Sequence, residues 1–168
     1  VPTLSLTIHG APIGKGRPRF VRATGHVRKD ESTAEWEGRA RGEVAAILPP
    51  SWTRLDEPVA LYTDAIFERP ANLTCNHKRP HAHPDDCSKG PQTKRIPYTR
   101  TPDWDNVAKI TGDALKQAGL VKDDARVYLA GEREQYGLPG EAPHLIATIV
   151  WGADLARLPW PPDNLEPW

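Results

Sequence analysis

Residues 101–127 read TPDWDNVAKITGDALKQAGLVKDDARV and gather acids and a lysine at spacings that suit one reaction centre. Asp103 and Asp105 follow Pro102, a residue that biases its predecessor towards extended backbone. Side chains two apart in an extended segment point the same way, so these carboxylates can converge on one hard cation with oxygen ligands, the chemistry magnesium prefers. Asp105, Lys109 and Asp113 recur every four residues. If a helix starts near Asp105 they share one face, with Lys109 directed at the metal. Gly119 stops that helix, and the chain returns through Leu120, Val121 and Lys122 to Asp123 and Asp124, a path that brings Asp124 beside the helix start. Asp103, Asp105, Asp124 and Lys109 so arranged fit phosphodiester hydrolysis. The metal polarises the phosphate and activates water, and the ammonium offsets charge on the pentacovalent transition state.

Each part also has a plainer explanation. Asp-x-Asp-Asn is an ordinary N-cap with acids favoured by the helix dipole, Asp123-Asp124 is a common turn, and Lys109 is a solvated helix residue. The joint pattern selects the chemical reading. Residues 1–29 carry Lys15, Arg17, Arg19, Arg22, Arg28 and Lys29 with no acid, whereas 103–124 hold Asp103, Asp105, Asp113, Asp123 and Asp124. A formal net charge of zero argues against purely electrostatic nucleic-acid binding, but the segregation supplies cations to hold a polyanion beside acids that hold a metal.

The elements that must position these groups follow from hydrophobic periodicity. Leu4 to His9 alternates as a half-buried strand. Gly10, Pro12, Gly14 and Gly16 then break the pattern, and Phe20–Arg22 with His26–Arg28 flank a turn as a short basic hairpin. Ser32 and Glu35 have capping-box spacing ahead of an apolar stripe at Trp36, Ala40, Val44 and Ile47, a helix that Pro49 and Pro50 end. Pro58 to Phe67 reads as a strand. Residues 69–102 lack a sustained period, carry many prolines and cations, and read as a long basic loop or flap leading into the acids. A second helical stripe follows at Val107, Ile110, Ala114, Leu115 and Ala118. Arg126–Glu134 and His144–Trp151 read as two further strands. The expected fold is α+β: a single compact domain with a mixed or mainly antiparallel sheet, two main helices and a long basic loop. Its span is 1–155, with a Pro/Trp-rich tail at 156–168 that includes Trp160 and Trp168.

A chain of 168 residues accommodates one such domain and no second one, and 18 prolines point to long irregular connections. No apolar run is long enough to span a membrane, and the opening residues lack a secretory pattern, so a cytoplasmic protein is expected. Cys75 and Cys87 do not form a disulfide framework of the secreted kind.

The stretch 101–127 resembles the signature of the RusA family of Holliday junction resolvases: Asp-x-Asp-Asn, a lysine four after the second aspartate, Asp-Ala-Leu on the helix, and Asp-Asp some twenty positions downstream. Gly10, Pro12, Lys15, Arg17, Pro18 and Arg19 are similar to the N-terminal form of many phage and bacterial members. The resemblance covers residues 4 to 150. It implies Asp103, Asp105 and Asp124 as metal-binding catalytic acids, Lys109 as catalytic lysine, Mg²⁺ or Mn²⁺ as cofactor, and a homodimer that nicks opposed strands of a four-way DNA junction during recombination and repair. Asp113 and Asp123 receive no assigned role.

Other positions stay open between two readings. Lys15, Arg17 and Arg19 suit phosphate contact, with Gly14 and Gly16 allowing close main-chain approach. Tyr98 and Trp104 flank the acids and either stack on unpaired bases or pack in the core. Cys75, His77, His81, His83 and Cys87 carry zinc-ligand chemistry at a spacing matching no standard finger, and a basic loop with incidental histidines is the simpler account. The competing functions are a non-catalytic DNA-binding module, whose acids merely cap a helix, and a nuclease acting on other branched DNA.

Overall fold

Every residue from Val59 to Phe67 is buried, and this strand, β4, lies at the centre of a five-stranded sheet. The computed structural model describes residues 2–16, 19–22, 25–28, 30–75, 87–152 and 155. β1 (Thr3–His9), β2 (Arg19–Val21), β3 (His26–Arg28), β5 (Ile96–Pro97), β6 (Val127–Tyr136) and β7 (His144–Trp151) complete the strands. The order is β1-β7-β4-β6-β5, with β4 and β6 parallel and the other pairs antiparallel. β2 and β3 form the separate basic hairpin. The sheet is therefore mixed, and the domain is α+β.

Burial on both faces explains why β4 reads as a nearly continuous apolar run rather than an alternation. Asp64 is the exception. Its carboxylate accepts from Arg133 at 3.2 and 2.5 Å and from Gln135 at 2.9 Å, so the buried charge is paired.

Two helices cover one face of the sheet. α1 (Glu31–Ile47) buries Trp36, Ala40 and Val44, and α2 (Trp104–Gln117) buries Val107, Ile110, Ala114 and Leu115 against Leu61, Ala65 and Phe67 of β4. Two expectations for α1 need correction. Asp30 is the N-cap, accepting from the Thr33 N–H at 3.4 Å, because the helix begins before Ser32 and puts that serine inside its first turn. Ile47 is 49% exposed, so the buried stripe ends at Val44.

The stretch 69–102 is divided rather than one free loop. Buried Arg69 donates to the carbonyls of Gly137, Pro91 and Lys94 at 2.7, 2.6 and 2.5 Å, and β5 pairs with the end of β6. A guanidinium with several fixed donors can pin an irregular segment that hydrophobic periodicity does not register. Residues 76–86 and the tail from 156 lie outside the described residues. Among the described residues no helix is long and apolar enough to cross a membrane.

Candidate active site

The N-terminus of α2 carries the first two acids. Asp103 is the N-cap with extended backbone, and the helix starts at Trp104, so Asp105 already has helical geometry. The expectation of two carboxylates on one extended segment thus holds for Asp103 alone. Both acids nevertheless sit at the positive end of the helix dipole. Lys109 reaches back one turn to place Nζ 2.7 Å from Asp105 Oδ2, and this hydrogen bond, with the charge of Lys109, holds the Asp105 carboxyl below its usual range.

β6 supplies two acids that the sequence reading missed. Glu132 Oε2 accepts the Ala108 backbone N–H at 3.1 Å, which sets this glutamate against the second turn of α2. Burial, then the charges of Glu134 and Asp105, push the Glu132 carboxyl up to about 9, against the opposing hydrogen bond from Ala108. Burial and the charge of Asp103 push Glu134 up to about 7. Oε1 of each glutamate is buried without a hydrogen-bond partner among the described residues. Buried carboxylate oxygens left unpaired are costly unless something else satisfies them. The signal was present in the sequence: Glu132 and Glu134 are two apart on a strand, so both point at the helix layer, where an apolar side chain would be expected.

Asp124 pairs with Lys116 in the last turn of α2, so the return after Gly119 brings it beside the later turns of the helix rather than beside its start, where the sequence reading places it. Asp123 caps the short 3₁₀ turn Asp124–Arg126 by accepting from the Ala125 N–H at 3.0 Å, and Lys116 of α2 binds both acids at 3.0 and 3.2 Å. The Ala125 hydrogen bond and Lys116 hold Asp123 well below the usual carboxylate range, while Asp123 and Asp124 raise Lys116. Asp124, Lys109, Asp113 and Lys15 border one cavity of about 250 Å³ floored by Leu61, Ala108, Val127 and Ala130. The expected common face of Asp105, Lys109 and Asp113 is therefore present. Among the described residues, no three His, Cys, Asp or Glu side chains are gathered closely enough to hold an ion.

The glycine-rich loop packs on the helices rather than standing free. A Cβ on Gly14 would lie 2.5 Å from Pro102 Cβ, and one on Gly16 2.8 Å from Asp30 Cβ. These contacts let the Lys15 N–H donate to the Asn106 carbonyl at 3.1 Å, and the Lys15 ammonium pairs with Asp113. Arg17 lies outside the described residues, and Arg19 opens β2. Tyr98 stacks on Phe67 at 3.8 Å between ring centres and meets Tyr136 edge-on, which is core packing. Trp104 is 65% exposed. Cys75 is half-buried and Cys87 buried, and His77, His81 and His83 lie outside the described residues.

Lys109 on α2 pairs with Asp105 and borders the cavity that Asp124 also lines, a cation placed where it can stabilise developing negative charge. Residues 9–140 match the family model described as endodeoxyribonuclease RusA. No curated protein matches the chain.

Proposed function

The chain belongs to the RusA endodeoxyribonuclease family, and from that premise we propose that it resolves four-way DNA junctions by paired, symmetric, Mg²⁺-dependent nicks during recombination and repair. Hydrolysis of DNA phosphodiester bonds is the family's activity. The observation that supports this centre is the Asp105–Lys109 pair facing two glutamates whose Oε1 atoms are buried without partners.

Those orphaned oxygens, all-oxygen donors at a helix start, fit a hard divalent cation. Asp103, Asp105 and Asp124 are the acids we assign to hold it, with Glu132 and Glu134 closing the sheet side of the site. When bound, the ion polarises the scissile phosphate and supplies an activated water. Lys109 bridges the two groups of acids, pairing with Asp105 while bordering the cavity that Asp124 lines. Its ammonium offsets the charge that builds on the phosphoryl oxygens. Lys15, with Arg17 and Arg19, takes the role of gripping backbone phosphates. Two opposed nicks require two such sites about a twofold axis, so the working form is a homodimer.

The test is cleavage of a synthetic immobile four-way junction with and without Mg²⁺ or Mn²⁺. Symmetric metal-dependent nicks, preferred over linear duplex and over flap or nicked substrates, are expected. Junction binding without any nicking in manganese would leave a non-catalytic DNA-binding module, and equal cutting of other branched substrates would remove the junction assignment.

A further inference from the structure

Of the large apolar side chains left exposed among the described residues, Trp104 is the largest. The other described tryptophans are packed. Trp36 is buried in the core, and Trp52 meets Trp151 edge-on at 5.8 Å between ring centres, both half-buried against that core. A ring of this size buries about 150–250 Å² when covered, so an uncovered one forgoes a large contribution. Helix formation gives no reason for it either: Trp104 is the first residue of α2, a position that favours proline and acids.

Its neighbours decide what can cover it. Asp103 and Asp105, the acids assigned to the metal, flank it in sequence, and Ala108, one turn along the same helical row, meets Glu132. A phosphate is repelled twice, by these carboxylates and by the electron-rich face of the indole. A second copy of the chain fits badly as well, because interface centres are depleted of charge. A nucleobase fits: it is neutral and flat, and it stacks on an aromatic ring whatever its identity. Reach favours it too. Phosphates of one strand succeed each other every ~3.4 Å along a duplex axis, so a strand with one phosphate at the start of α2 carries a base past Trp104. We infer that the Trp104 indole stacks on a base of the strand being cut, next to the scissile phosphate, and so holds that phosphate against the acids at the start of α2. A base inside continuous duplex has both faces covered; at a branch one face is free, and the indole continues the interrupted stack. Trp104 thus positions the substrate, while metal binding and charge offset stay with the acids and Lys109. The inference rests on the nuclease reading above.

Trp104→Ala and Trp104→Phe test it, since an exposed side chain can be exchanged with little change in thermal midpoint. Junctions carrying 2-aminopurine at successive positions around the branch are bound in EDTA, so that binding is read without cutting. One position should change fluorescence with wild type and with Trp104→Phe, and not with Trp104→Ala. The alanine variant should bind the junction about tenfold more weakly and cut it about tenfold more slowly in single turnover, and phenylalanine should restore most of both. Its affinity for Mn²⁺ and for continuous duplex should match wild type, which separates stacking from disturbance of the acids. Unaltered affinity, rate and 2-aminopurine response in Trp104→Ala would overturn the inference and leave the nuclease reading intact. Loss of self-association in that variant, with the 2-aminopurine response kept, would also overturn it and give the ring to a second copy. A wild type that shows the Trp104-dependent response yet cuts no junction in Mg²⁺ or Mn²⁺ would support the stacking and remove the nuclease reading.

Discussion

Glu132 Oε2 accepts the backbone N–H of Ala108 at 3.1 Å, and this hydrogen bond ties β6 to the helix that carries Asp105 and Lys109. It holds a carboxylate where burial and neighbouring negative charge oppose ionisation. Folding therefore raises the Glu132 pKa from 4.5 to about 9, and the folded state binds this proton more tightly than the unfolded state. The stabilising contribution is complete below about pH 4.5 and is lost progressively as pH rises towards 9. Glu132→Gln keeps an acceptor for Ala108 and removes the titration. In metal-free protein its thermal midpoint should exceed that of wild type at pH 8, by about 2–4 °C for each kcal/mol relieved, and the gap should close near pH 5. Mn²⁺ should stabilise wild type more than the variant. A constant gap across this pH range would refute the account.

Lys109 is expected to matter through charge rather than packing, since its side chain is 59% exposed. Lys109→Ala should slow single-turnover cleavage by ~10²-fold or more with little change in thermal midpoint. The Asp105 carboxyl should move back up towards its ordinary value, which carbon-detected NMR titration can follow. Asp103→Asn and Asp105→Asn should lose cleavage comparably while still binding junction DNA. Cleavage unaffected by these substitutions would remove both acids from the reaction.

Gly14→Ala isolates the role of close approach. Its Cβ would stand 2.5 Å from Pro102 Cβ, against a proline ring that cannot rotate away. Overpacking of this kind costs about 1–3 kcal/mol. Denaturant unfolding should show the loss, and junction affinity should fall because the displaced loop no longer presents Lys15 beside Asn106. An alanine variant as stable as wild type would contradict the packing described.

The Asp64–Arg133 pair lies on the other face of β6 from Glu132 and Glu134. Asp64→Ala removes the buried carboxylate that accepts from Arg133 and Gln135 and should destabilise by about 3–5 kcal/mol. The double variant Asp64→Ala, Arg133→Leu should recover part of that loss. A double-mutant cycle with no coupling would show that the two side chains act independently.

Much of this arrangement was legible in the chain itself. Local chemistry determined the helix that starts near Asp105, with its stop at Gly119, because the apolar repeat and the glycine act within one or two turns. It also determined the Asp105–Lys109–Asp113 face, because helical spacing is fixed by backbone geometry alone. The alternation of Leu4 to His9 and the run ending at Phe67 gave strands, although not their partners. Only the tertiary structure decided that β4 pairs in parallel with β6, and hence that Glu132 and Glu134 stand opposite Asp103 and Asp105. Only it decided that Tyr98 stacks on Phe67 while Trp104 is exposed, and that Lys116 binds Asp123 and Asp124. Those relationships join residues far apart in the chain, where pairing depends on sheet order and burial rather than on spacing. A sequence records which side chains a strand points one way; the neighbouring elements determine what those side chains meet.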